Sequence, residues 1–281
     1  MDYWISFPNL HIFLERVGKS FSIGSFSIAY YGVCLGLGML AGLFAASIRA
    51  KKTGQNPDTY SDLFIYLILF GIIGARIYYV AFAFDHYKNN LLDIFNLRQG
   101  GLAIYGGIIG GVLAALVFSR IKKMSFFTLL DTVTFGVLPG QIIGRWGNFF
   151  NREAFGNYTN GLFAMELPVS AVRAGEITPL MEANKTIVNG VEAIRVHPTF
   201  LYEGLWNTAL LIVLILTAKT AKFKGEIFFR YLIGYGIGRA IIEGLRTDQL
   251  LVPGTTFPVS QGLSVLLVVV SAVIILIKRK K

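Results

Sequence analysis

The sequence predicts an all-α polytopic membrane protein of about seven transmembrane helices, with an N-terminal interfacial arm and a small extracytoplasmic head that is partly β. Three observations predict it. Of the 281 residues, 54% are hydrophobic and 15% charged, and the mean hydropathy is +0.60, which a soluble domain with a polar surface would hardly reach. The apolar residues gather into runs near the ~20 that a helix needs to span a bilayer. Lys and Arg fall in short clusters between those runs. The formal net charge of +10 is therefore an orientation signal, and no nucleic-acid partner is expected.

Residues 1–25 mix Trp4, Phe7, Leu10, Ile12, Phe13, Leu14 and Val17 with Asp2, Glu15, Arg16 and Lys19. This reads as an interfacial arm lying on the membrane. The segment lacks the basic start and small-residue cleavage site of a signal peptide, so it is expected to stay on the chain. Spans follow at roughly 26–48, 61–84, 101–119 and 126–144, making a 26–149 block of four helices. In the third, Gly106, Gly107, Gly110 and Gly111 cost helix propensity but allow close helix contact in lipid. Residues 150–198 form the head, with short strands expected at 162–167, 186–191 and 193–196 around the turn signal Asn189-Gly190. A last block, 199–281, holds spans at roughly 199–218, 227–245 and 258–277 and a basic tail.

The basic clusters fix the orientation. Arg49, Lys51 and Lys52 follow the first span; Arg120, Lys122 and Lys123 the third; Lys219, Lys222 and Lys224 the fifth; Lys278, Arg279, Lys280 and Lys281 close the chain. All four fall on one face, which is cytoplasmic by the positive-inside rule, so the amino terminus and the head are outside. The single cysteine, Cys34, allows no disulfide and reads as a small packed residue. His11, His86 and His197 lack ligand spacing, and neither a metal nor a cofactor is expected.

With that orientation, polar residues inside the apolar runs share one level. Tyr31 lies in the outer half of the first span, Arg76 in that of the second, and Tyr105 near the outer end of the third. Arg145, Asn148 and Asn151 stand at the outer end of the fourth, and Tyr235, Arg239 and Glu243 run up the outer half of the sixth. Such placement implies one polar cavity opening toward the outer leaflet. Tyr235, Arg239, Glu243 and Arg246 make a stripe on one helix face. Arg239 and Glu243 can neutralise each other, and an ion pair that only fixes helix packing is the alternative there. Arg76 is too deep to snorkel and needs an acid or a phosphate. Arginines facing one cavity repel unless an anion joins them, and guanidinium suits phosphate because its planar fork donates two hydrogen bonds. The residues thus describe a grip on an anionic lipid headgroup.

The stretch Gly144-Arg145-Trp146-Gly147-Asn148-Phe149-Phe150-Asn151-Arg152-Glu153-Ala154-Phe155-Gly156 resembles the signature of the prolipoprotein diacylglyceryl transferase family. Tyr30-Tyr31-Gly32, Gly74-Ala75-Arg76, His197-Pro198-Thr199-Phe200-Leu201-Tyr202-Glu203 and Tyr235-Gly236-Ile237-Gly238-Arg239 with Glu243 and Arg246 resemble further family motifs, in order along the whole chain. The resemblance implies a bacterial inner-membrane enzyme. It would move the diacylglyceryl group of phosphatidylglycerol to the lipobox cysteine in a prolipoprotein signal peptide, making a thioether and releasing glycerol-1-phosphate. Arg145 and Arg239 would stabilise the leaving phosphate. Asn148, Asn151, Tyr31, Arg76, Gly106, Gly107, Tyr235, Glu243, Arg246, Gly156 and Glu153 would bind the lipid. Many relatives carry a histidine where this chain has Tyr105, and a phenol with pKa near 10 is a poor base at neutral pH. Tyr105 would then orient the headgroup, and the base stays open among Glu243, Glu153, His197 and the arginine field. An anion transporter or a non-catalytic lipid-binding scaffold are the rival readings; the one-sided polarity and lack of an internal repeat speak against a transporter.

Overall fold

The structure, a computed structural model, describes residues 4–97, 100–252 and 254–280. Asp2 and Lys281, named above, lie outside the described residues. The helices are α1 (Tyr30–Lys52), α2 (Pro57–Phe82), α3 (Ile104–Ile121), α4 (Phe126–Asn151), the short α5 (Pro179–Ala183), α6 (Thr199–Thr217), α7 (Glu226–Glu243) and α8 (Val259–Lys280). Six of the described helices, all but α5 and α7, are long and apolar enough to cross a membrane by length and composition. The other expected span is α7, 18 residues long, which carries Glu226, Arg230, Arg239 and Glu243. Leu40, Phe44, Ile77, Leu216 and Leu276 stand exposed on helix faces, which suits hydrocarbon and not water.

The chain forms two compact units, one of residues up to Gly42 with those from Gly136 onward, the other Leu43–Phe135. In the first, strands β1 (Ile5–Phe7), β2 (Ile12–Leu14), β5 (Met165–Pro168), β6 (Thr186–Val188) and β7 (Val191–Val196) make an antiparallel sheet in the order β2-β1-β5-β7-β6. Strands expected at 162–167, 186–191 and 193–196 stand at Met165–Pro168, Thr186–Val188 and Val191–Val196. Asn189 (φ 52°) and Gly190 (φ 79°) turn β6 into β7, the two positive φ values that a tight two-residue hairpin needs. The N-terminal segment, expected as an arm on the membrane, instead gives β1 and β2 to this sheet. Ile5-Ser6-Phe7 is buried, and Ser6 pairs with Glu166. Ile5, Phe7, Val17, Met165, Leu167, Met181, Ile194 and Val196 then share one core with Phe149, Phe155 and Phe200, so the sheet is seated on the end of α4 and the start of α6.

A hairpin of β3 (Ser20–Ile23) and β4 (Phe26–Ala29) leads into α1. The sequence starts the first span at Phe26; the helix starts at Tyr30. Phe21-Ser22-Ile23 and Phe26-Ser27-Ile28 alternate apolar and polar residues, which is the period of a strand.

At the far end of α7, the fully buried Glu226 accepts from Arg230 Nη2 at 2.6 Å, Arg279 Nε at 2.8 Å and the Lys222 backbone N–H at 2.7 Å. It staples the end of α8 to the start of α7. Within the second unit, α2 and α3 pack backbone to backbone. A Cβ on Gly106 would lie 2.3 Å from the Gly74 carbonyl and 2.3 Å from Tyr78 Cβ, so the glycines of the third span serve the close helix contact read from the sequence. Tyr60, Leu63, Phe118 and Leu129 are buried beside them.

Glu226→Ala leaves two arginines facing a buried position without their carboxylate. It should lower stability by about 3 kcal/mol, read as an earlier thermal unfolding midpoint of the detergent-solubilised protein.

Candidate functional site

The site is built on the end of α4. After Asn151 the chain turns through Arg152 (φ 54°) and Ala154 (φ 58°), both in the left-handed region that side chains disfavour. Local bonds hold the turn. The Arg152 guanidinium donates to the carbonyls of Val17 and, at 3.3 Å, Phe150, and the Thr199 hydroxyl donates to the Ala154 carbonyl. The turn folds Glu153 back over the last helical turn. Asn148 Nδ2 and Asn151 Nδ2 donate to Glu153 Oε1 at 3.1 and 3.3 Å, and Arg145 Nη1 donates to Asn148 Oδ1 at 3.4 Å.

The other side of Arg145 meets α6. Its Nη2 lies 2.5 Å from Glu203 Oε2, while Arg239 Nη1, from α7, lies 2.9 Å from Glu203 Oε1. Arg246 Nη1 is 3.8 Å from the same Oε1. One buried carboxylate therefore draws three arginines to one point. Arg239 also pairs with Glu243, Nη2 to Oε2 at 2.5 Å. Arg246 forks onto Asp248 at 2.9 and 2.7 Å. Burial opposes both charges of that last pair, yet their hydrogen bonds and mutual attraction win. The Asp248 carboxyl is held below its ordinary value and the Arg246 guanidinium above. Arg145, Arg239 and Arg246 are thus balanced by Glu203, Glu243 and Asp248.

A backbone bracket sets this register. Residues 155–157 run between the start of α6 and the end of α7. Gly156 N donates to His197 O and Asn157 N to Leu245 O, each at 2.9 Å, and Gly156 bridges Arg246. A Cβ on Gly156 would lie 2.8 Å from both His197 Cβ and Leu245 O. Burial pushes the His197 imidazole below its ordinary value, and its Nδ1 lies 3.2 Å from the Tyr202 hydroxyl. The Tyr31 ring packs on Gly147, where a Cβ would come within 2.7 Å of it, and Tyr235 stacks on Tyr231 with centroids 5.6 Å apart.

Arg76, Tyr105, Gly106 and Gly107 belong to the other unit. The acid or phosphate expected of Arg76 is replaced there by backbone. Its Nε donates to Ile94 O at 2.7 Å, Nη1 to Gly100 O and Gly101 O at 2.7 and 2.9 Å, and Nη2 to Asp93 O and Asn96 O at 2.6 and 3.3 Å. All five N–H donors of a guanidinium are so used, and the group lies 5.0 Å from the Tyr87 ring centroid. Tyr105 and Gly107 lie in the first turn of α3, with Gly106 sealed against α2.

A family model described as prolipoprotein diacylglyceryl transferase matches residues 19–277. The chain belongs to the prolipoprotein diacylglyceryl transferase family. A Bacillus cytotoxicus protein named phosphatidylglycerol–prolipoprotein diacylglyceryl transferase is 40% identical over 267 residues, which cover 95% of this chain and 93% of that one. Proteins of the same name from Bacillus mycoides and Bacillus cereus are 39% and 40% identical over the same length. The resemblance read from Gly144 to Gly156 is borne out.

Sequence reasoning left Glu203 and Asp248 out of the site. Glu203 had a signal, being an acid inside an apolar run and so functional by default. Asp248 lies beyond the helix, where an acid is ordinary.

Gly156→Ala should force the bracket apart. We expect about 1–3 kcal/mol of lost stability and turnover down about tenfold to a hundredfold as Arg246 shifts, measured by thermal unfolding and product assay. Arg76→Lys replaces five fixed donors with three on one nitrogen. Residues 93–97 and 100–101 should then exchange amide protons markedly faster.

Proposed function

We propose that this multi-pass membrane protein transfers the diacylglyceryl group of phosphatidylglycerol to the lipobox cysteine of a bacterial prolipoprotein, forming a thioether and releasing glycerol-1-phosphate. The observation that carries this reading is the convergence of Arg145 and Arg239 on one carboxylate, in a chain of this family. A point that two guanidiniums already share is a point where a phosphate can bridge them.

The cysteine sulfur attacks the glycerol carbon that bears the phosphate ester. A C–S bond forms as the C–O bond breaks, and the bonding electrons leave on the phosphate oxygen. Arg145 and Arg239 stabilise the charge that develops there, in a site shielded from water. The thiol gives up its proton, to a base or to the departing phosphate. With an ordinary pKa near 8.5 it is mostly protonated at neutral pH, and an arginine field favours the thiolate. Asn148, steadied by Arg145 and Glu153, holds the headgroup with Asn151. Tyr31 and Tyr235 line the approach. Because Arg76 has its donors on carbonyls, we assign it to shaping the loop that it binds.

The same reading places the reaction on the extracytoplasmic side, with the amino terminus outside. Basic residues end α1, α3 and α8, as they do at cytoplasmic helix ends. The purified protein, given labelled phosphatidylglycerol and a lipobox peptide, should form thioether product. Arg145→Ala or Arg239→Ala should cut the rate by about a hundredfold or more. Anion flux without product, or lipid retained unchanged, would overturn the reading.

A further inference from the structure

The carboxylate that gathers the arginines occupies the place a phosphate needs. Glu203 Oε2 meets Arg145 at 2.5 Å and Oε1 meets Arg239 at 2.9 Å. Its side chain is 4% exposed, against 22% for Arg145 and 15% for Arg239. The acid is thus the more deeply buried partner in both pairs. The three arginines and three carboxylates of the cluster already balance, so an arriving phosphate adds one uncompensated negative charge at low dielectric. The phosphate can take guanidinium bonds only if some carboxylate gives them up, and that carboxylate must then take up a proton or draw away. Glu243 faces Arg239 from one turn along the same helix, and Asp248 holds Arg246 by two bonds. Glu203 shares its two oxygens among three arginines, on α4, on α7 and in the segment after α7. It is the acid whose bonds a phosphate can replace one for one.

We propose that Glu203 is a positioning residue that competes with lipid phosphate for Arg145 and Arg239, holding them together at rest and helping to expel the phosphate product after transfer. The proposal rests on the transferase reading above. During the reaction the phosphate passes from a diester with one negative charge to a monoester with nearly two. The arginines hold it more tightly as charge develops, which aids the chemical step. The same hold would delay release. Glu203 returning to the two guanidiniums offsets it.

Glu203→Gln keeps the shape and one acceptor oxygen but removes the charge. Inhibition by glycerol-1-phosphate should tighten about tenfold or more, and KM for phosphatidylglycerol should fall by a smaller factor. At the same time kcat should fall, with a pre-steady-state burst of thioether close to the enzyme concentration. Both arms are needed, since a diester lipid and a free monoester share the phosphate but differ in charge. Should Glu203→Gln fail to accumulate, Glu203→Asp, one methylene shorter, reaches less well and should tighten inhibition in the same direction. A folded variant with inhibition unchanged or weaker and KM raised would overturn the proposal, making Glu203 a strut. Absence of thioether from the wild-type protein would overturn the transferase reading and this proposal with it.

Discussion

A guanidinium removed from water must find compensation within a few ångströms, and the Glu203 carboxylate supplies it for helices α4 and α7 together. Without an anion between them, Arg145 and Arg239 would repel at low dielectric and separate. The acid sits on α6, so three helices of one unit are committed to a single point.

The rest of that unit keeps the point fixed. The two left-handed residues after α4 would relax if they were free; they are held because Arg152 reaches back to the Val17 carbonyl and Thr199 to that of Ala154. Gly156 threads between His197 and Leu245 with no room for a methyl group. This sets the start of α6, with Glu203 one turn on, against the end of α7, with Arg246. The sheet contributes by giving Phe149, Phe155 and Phe200 a common apolar floor. A strained turn, a missing side chain and a small β core thereby serve the same geometry.

Much of this was legible from sequence. Apolar runs of bilayer length appear as helices because composition and period agree over some twenty residues. Arg145, Asn148, Asn151 and Glu153 were legible as one group because they share consecutive turns of one helix and its exit. What was hidden depended on tertiary pairing. The N-terminal strands were read as a surface arm because their mixed residues fit an interface as well as a sheet, and only pairing with β5 decides between them. Glu203 was read as part of a motif while the arginines were given an external anion. The rule that flagged Arg145, that an ionisable group in an apolar run has a purpose, applied equally to the acid. Nothing in the sequence near Arg76 announced that its partners would be carbonyls.

Arg76 and Arg145 show two ways of keeping a guanidinium out of water, and the difference governs what each can do next. Arg76 gives every donor to neutral carbonyls of one loop. A single incoming anion would have to replace five bonds held in place by the chain. Arg145 has one strong partner in Glu203 and a long bond to Asn148. Its charge is cancelled, but by a group that another anion can mimic. Availability for phosphate is therefore set by how exchangeable the partners are, and not by whether the arginine is formally neutralised. By that criterion the partner of Arg145 is the more exchangeable of the two.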